Sequence, residues 1–165
     1  MAVNKGKAFE QKFKEDFLKV PDATIDRIRD TMYGYKAISG ISDFIGYIYP
    51  NIFYLECKSK KGNTFPLTNL TQYDELKRKV GIKGVRAGVI LWFIDHSKVL
   101  YIPISSITQM MKDGKKSVNI KMLEEKEYFM IDIPSTKRVL FFRQRLHNIN
   151  TIARGTVNGI RRYKK

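Results

Sequence analysis

The chain holds a single cysteine, Cys57, among its 165 residues. One cysteine forms no internal disulfide and builds no cysteine zinc cluster, so neither a disulfide framework nor a zinc finger can organise the fold. There are only two histidines, His96 and His147, and neither has a neighbour at metal-ligand spacing. No stretch approaches the roughly 18 apolar residues that a membrane-spanning helix requires. The first residues, Met1 to Lys7, lead into an amphipathic segment and not into an apolar signal core. A reduced, cytoplasmic location with no membrane attachment is the expectation. There is no phosphate-binding glycine loop, since Gly81-Ile82-Lys83-Gly84 lacks the spacing, and no serine stands in a G-x-S-x-G elbow. Internal repeats and low-complexity linkers are also missing.

Acidic residues are missing from one whole region. All 16 acids lie at or before Asp132. Beyond it come Lys137, Arg138, Arg143, Arg145, Arg154, Arg161, Arg162, Lys164 and Lys165 with nothing to balance them. The net charge is +15. Such asymmetry fits a polyanionic partner, and nucleic acid leads because lysine and arginine displace condensed counterions from phosphates. Solubility and loose attachment to anionic lipid are the blander uses of the same charge. Lys5, Lys7, Lys60, Lys61, Arg143, Arg145, Arg154, Arg161 and Arg162 are the candidate DNA contacts. Phe141, Phe142 and Tyr163 lie among these basic residues and could stack on unpaired bases. The competing use of Val139-Leu140-Phe141-Phe142 is packing on the core.

What is present suits one domain with a real core: 43% hydrophobic and 12% aromatic residues exclude disorder. Residues 1–136 read as the folded domain and 137–165 as a basic segment, part packed and part DNA-binding. Phe9, Phe13 and Phe17 recur every four residues and predict a helix over 4–19. Pro21-Asp22 ends it. A strand is predicted over 24–29, then a loop-rich connection over 30–41. A β-hairpin follows over 43–59, turning at Pro50-Asn51. A helix is predicted over 67–80, with Thr68 or Asn69 as N-cap and Gln72 completing a capping box. Residues 88–94 are apolar on both parities and predict a central strand buried on both faces. A partner strand over 99–102, a helix over 104–112 and edge strands over 117–122 and 128–133 complete an α/β fold. Its predicted architecture is a mixed central sheet flanked by helices.

The hairpin carries the chemistry. Antiparallel pairing sets Asp43, at the start of its first strand, beside the end of the second. Glu56 and Lys58 share one face of that second strand. Two hard carboxylates beside a lysine suit Mg²⁺-dependent phosphodiester hydrolysis. The pattern [DE]-x-Lys occurs at Glu10, Glu56, Glu75, Asp113 and Glu124. Only Glu56-Cys57-Lys58 ends an apolar strand whose hairpin partner bears an acid. The plainer alternatives are a turn residue for Asp43 and a surface ion pair for Glu56 and Lys58. Glu10 is either a third carboxylate from the first helix or an ordinary solvated side chain. Gln72 either serves the site or caps its helix. Cys57, on the opposite face, reads as a small core residue.

The blocks Asn4-Lys-Gly-Lys-Ala-Phe-Glu10, Ser42-Asp43-Phe-Ile-Gly46, Leu55-Glu-Cys-Lys58, Thr64-Phe-Pro66 and Asn69-Leu-Thr-Gln72 resemble the PD-(D/E)xK nuclease superfamily. Within it, the chain resembles the RecU-type Holliday junction resolvases over about residues 4–105. The resemblance implies a restriction-endonuclease-like core. It implies Mg²⁺, replaceable by Mn²⁺, on Asp43 and Glu56. Lys58 would position or activate water, with Glu10 and Gln72 assisting. It further implies a homodimer acting on four-way junctions by paired symmetric nicks. RecU-type enzymes carry a projecting stalk ahead of the motif aspartate, and here only residues 30–41 stand in that place. The rival functions are another nuclease of the superfamily, such as an exonuclease or restriction-like enzyme, and a non-catalytic DNA-binding recombination accessory protein.

Overall fold

The phenylalanine stripe of the N-terminal helix, α1 (Lys5–Leu18), determines one side of the core. Phe9, Phe13 and Phe17 are buried. They pack with Phe44, Phe53, Leu55 and Cys57 in one apolar cluster. Ring contacts join Phe13 to Phe44 and Phe17 to Phe53 at 5.8 and 6.4 Å. This computed structural model describes residues 5–28 and 40–133, with the backbone alone over 31–33 and 36–38. The basic segment over 137–165, its arginines and its aromatics lie outside the described residues, as does the boundary expected at 136.

The strands are β1 (Ala23–Arg27), β2 (Thr31–Tyr33), β3 (Lys36–Ile38), β4 (Phe44–Ile48), β5 (Asn51–Lys60), β6 (Thr64–Pro66), β7 (Val85–Phe93), β8 (Lys98–Pro103), β9 (Ser117–Asn119) and β10 (Ile131–Asp132). Six form the main sheet, in the order β1-β4-β5-β7-β8-β10. All neighbours are antiparallel except β5 and β7, which run parallel. A parallel pair needs a crossover, and the segment between β5 and β7 supplies it. β7 is central and buried over most of its length, as its two-sided apolar pattern predicts. Its far face packs under α2 (Tyr73–Lys77) and α3 (Ile104–Lys112) in a second cluster that includes Leu76, Leu91, Ile107 and Met110. The predicted mixed sheet flanked by helices is the architecture found.

Several boundaries differ. The helix predicted over 67–80 is a 3₁₀ turn, Leu67–Asn69, followed by the five-residue α2. Leu67 gives its amide to the Lys116 carbonyl at 3.0 Å, and Leu70 leaves helical geometry at φ −94°, ψ 75°. The capping box does not form: Gln72 itself is the N-cap, without a side-chain cap bond. The strand predicted over 117–122 ends at Asn119, which pairs into a small separate sheet with β6. Asn119 Oδ1 accepts the amide of Lys121 at 3.0 Å, and α4 (Lys121–Glu125) starts there. The predicted strand over 128–133 is reduced to β10. The connection predicted as loop over 30–41 contains an antiparallel ribbon of β2 and β3, with Met32 opposite Ala37. The hairpin turn falls at Tyr49-Pro50, so Asn51 already belongs to β5.

Candidate active site

Strand register brings the acids together. Phe44 stands opposite Leu55 in the β4–β5 ladder, so the next step outward faces Asp43 to Glu56. Asp43 donates its amide to Glu56 Oε2 at 3.1 Å. Asp43 Oδ2 accepts the amide of Cys57 at 2.7 Å. Lys58 Nζ donates to Glu56 Oε1 at 2.7 Å. Three of the residues expected from sequence therefore meet at one end of the hairpin.

Alternation along β5 decides what surrounds each side chain. Phe53, Leu55 and Cys57 face α1, where they join its apolar cluster. Glu56 and Lys58 point to the other face. Glu56 is 1% exposed, yet it is a carboxylate. Burial first, and then the charge of Asp43, pushes its pKa up to about 7, against the opposing pull of Lys58. Glu56 and Lys58 do form an ion pair, but its carboxylate end is buried and not at the surface. Lys58 keeps 24% of its side chain exposed while its ammonium meets the buried Glu56 carboxylate. Cys57 is buried, and burial followed by the nearby acids lifts its thiol far above the ordinary range. It is the small core residue its parity implies.

Glu10 approaches from α1. Its pKa is raised, by burial first and Asp43 next, while Arg27, Lys7 and Lys58 pull it down. Its Oε2 makes an ion pair with Arg27 Nη2, close in distance but without the alignment of a hydrogen bond. Arg27 is the site residue that sequence reasoning missed. The predicted strand contained it, but nothing local said that β1 would lie beside β4. That pairing sets Arg27 opposite Phe44, and the Ile28 amide donates to the Asp43 carbonyl at 2.8 Å. Gln72 lies on the crossover at the head of α2. Its Oε1 accepts from Thr71 Oγ1 at 2.8 Å.

The basic candidates within the described residues flank this end of the molecule. Lys5 and Lys7 are exposed on the first turn of α1, one turn before Glu10. Lys60 closes β5 two residues after Lys58, and Lys61 is exposed in the following turn. Arg143, Arg145, Arg154, Arg161 and Arg162 lie outside the described residues.

The donors suit a hard divalent cation. Asp43 raises the proton affinity of the buried Glu56 carboxylate, and a positive ion beside the two acids would relieve that repulsion. Among the described residues, no three histidine, cysteine, aspartate or glutamate side chains are gathered as a closed cage.

A mixed sheet with a carboxylate pair and a lysine at the open end of its central hairpin defines a restriction-endonuclease-like nuclease core. A sequence model of the RecU family, described as recombination protein U, matches residues 5–144, and the chain belongs to that family. Junction-resolving nuclease activity of the kind that the resemblance implied is therefore its class of function. No curated protein matches in a direct sequence comparison. Among solved structures, the chain is similar to Hjc of Archaeoglobus fulgidus, a Holliday junction resolvase from an archaeal hyperthermophile. The identity is 16%, the TM-score 0.51, and the match covers 69% of this chain and 88% of Hjc. At that identity the likeness speaks for the fold alone. No helix among the described residues is long and apolar enough to cross a membrane.

Proposed function

We propose that the chain is a Mg²⁺-dependent endonuclease that resolves four-way DNA junctions by paired symmetric nicks. The observation that carries this reading is the buried Glu56 carboxylate set against Asp43 and Lys58 in a chain of the RecU family. Asp43 and Glu56 hold the cation, with Mn²⁺ able to substitute. When bound, it neutralises charge on the scissile phosphate and makes water more acidic. Lys58 is the general positioning cation for the attack. Its ammonium, fixed by Glu56, can donate both to the attacking water and to a non-bridging phosphate oxygen. The fixed β5 backbone means that little reorganisation is needed at the moment of reaction. Glu10 serves as the auxiliary carboxylate from α1, and Gln72 contacts water or phosphate from the crossover. Lys5, Lys7, Lys60 and Lys61 hold DNA backbone at the rim.

A four-way junction has two-fold symmetry, so paired nicks call for two active sites in a homodimer. The basic segment beyond 136 adds phosphate contacts, and the cytoplasm is where such an enzyme meets DNA. The family match runs to residue 144, past the domain boundary expected at 136.

The test compares four-way junction, linear duplex and single strand under Mg²⁺, Mn²⁺ and EDTA. Junction-selective cleavage that needs metal supports the reading. Equal cleavage of linear duplex makes the chain a general nuclease of the superfamily, and binding without cleavage makes it an accessory protein. Asp43→Asn and Glu56→Gln are each expected to abolish cleavage while junction binding holds or tightens. Retained cleavage in both variants overturns the site.

A further inference from the structure

The guanidinium of Arg27 meets a carboxylate of this site, that of Glu10. Arg27 lies on edge strand β1, and its backbone is tied to the same level as the acids through the Ile28 amide and the Asp43 carbonyl. Its side chain is 48% exposed, whereas that of Glu10 is 17% exposed. One end of this ion pair is therefore open to solvent, and the other is largely buried. Glu10 lies within electrostatic range of both Asp43 and Lys58. Yet no three acids close into a cage among the described residues. The third carboxylate is near the pair, and a cation of the protein already engages it.

A guanidinium binds phosphate as it binds carboxylate, through a planar fork that matches two oxygens at once. A DNA backbone arriving at this rim, between Lys7 and Lys60, meets Arg27 from its exposed side. On the reading that Asp43 and Glu56 form a nuclease metal site, we propose that Arg27 is a positioning residue. It holds Glu10 apart from the acid pair until a DNA phosphate takes the guanidinium. Glu10 then turns to the pair as the third carboxylate. Cation binding and DNA binding are thereby coupled through a single ion-pair exchange, and the site completes itself only on substrate.

The experiment needs no turnover. Mn²⁺ binding to the full-length chain without DNA is measured by calorimetry for the wild type, Arg27→Met, Glu10→Gln and the double variant. Arg27→Met is expected to bind Mn²⁺ about tenfold more tightly than wild type, within the ordinary range of coupling between two binding sites. The gain is expected to vanish in the Glu10→Gln background. Persistence of the gain there reduces Arg27 to a general field effect and overturns the proposal, as does an unchanged affinity in Arg27→Met. Junction binding in EDTA gives a second readout. Arg27→Met is expected to bind several-fold more weakly, with the salt slope reduced by about one. An unchanged slope shows that no phosphate takes the guanidinium, and the exchange fails. Arg27→Gln repeats both measurements if Arg27→Met does not fold. Asp43→Asn separates failure of the metal site from failure of the exchange. If wild type and Asp43→Asn bind Mn²⁺ equally, the metal site itself is wrong; if Asp43→Asn loses binding while Arg27→Met changes nothing, only the exchange is wrong.

Discussion

Asp43 and Glu56 are held together through backbone amides of the two strands. The Asp43 amide donates to Glu56 Oε2 at 3.1 Å, and Asp43 Oδ2 accepts the next amide of β5, that of Cys57, at 2.7 Å. Each acid is thus oriented by the strand that carries the other. Separating the two strands by one register step would dismantle the pair, because a one-residue slip sends every side chain to the other face.

Glu56 makes the metal-free protein sensitive to pH in an unusual direction. Its pKa rises from 4.5 to about 7 on folding, mainly by burial. Between those values the folded chain binds more protons than the unfolded chain, so stability falls as pH rises from about 5 to about 8. The contribution is on the order of 3 kcal/mol, at roughly 1.4 kcal/mol for each pH unit between the two values. Saturating Mn²⁺ should remove most of this loss at the upper end, because the cation replaces the proton. Thermal melts across this range, with EDTA and with Mn²⁺, check it; parallel curves would contradict the raised pKa.

Lys58 should matter for rate more than for binding. Lys58→Met is expected to lower kcat on a junction about 10²- to 10³-fold while junction affinity stays within about threefold. Lys58→Arg should not restore activity, since a planar fork cannot take the place of a compact ammonium 2.7 Å from Glu56 Oε1. Single-turnover cleavage beside equilibrium binding separates the two effects.

Gly88 supports the site from behind. It lies on β7 opposite Leu55 of β5 and Pro103 of β8. A Cβ there would collide with the ring of Tyr101 and come within 3.0 Å of the Ile102 carbonyl. Both neighbours are buried, so little can yield. Gly88→Ala is expected to destabilise by about 1–3 kcal/mol in denaturant unfolding. Gly62→Ala is a contrast: its φ is +78° with open space around it, so only the left-handed backbone penalty of about 1 kcal/mol applies.

Truncation after Lys137 removes Arg143, Arg145, Arg154, Arg161 and Arg162 with the rest of the basic segment. Junction binding is expected to weaken, and its dependence on salt to flatten in proportion to the number of phosphates the segment neutralises. Binding titrations at several salt concentrations check this. An unchanged slope would leave the segment with no role in DNA binding.

Much of the molecule is written locally. The four-residue spacing of Phe9, Phe13 and Phe17 determines α1 and its buried face, because helical periodicity needs no distant partner. The two-sided apolar run determines β7 as a central strand. The hairpin determines that Asp43, Glu56 and Lys58 gather, because antiparallel strands joined by a tight turn bring residues of known parity together. Helix breaks were less legible. The 67–80 segment has helical spacing, but Leu70 leaves helical geometry at φ −94°, ψ 75°, and tertiary context overrides propensity.

Only the tertiary structure decided the rest. The depth of Glu56 depends on the clusters packed around β5, not on its neighbours in sequence. The approach of Glu10 depends on how α1 lies across the sheet. The pairing of Arg27 with Glu10 depends on β1 settling beside β4, and the ribbon of β2 and β3 separates those two strands in the chain. Local residue patterns specify which side chains a strand presents. Long-range packing alone specifies how far from water they stand and which charges they meet, and those two quantities tune the chemistry of this site.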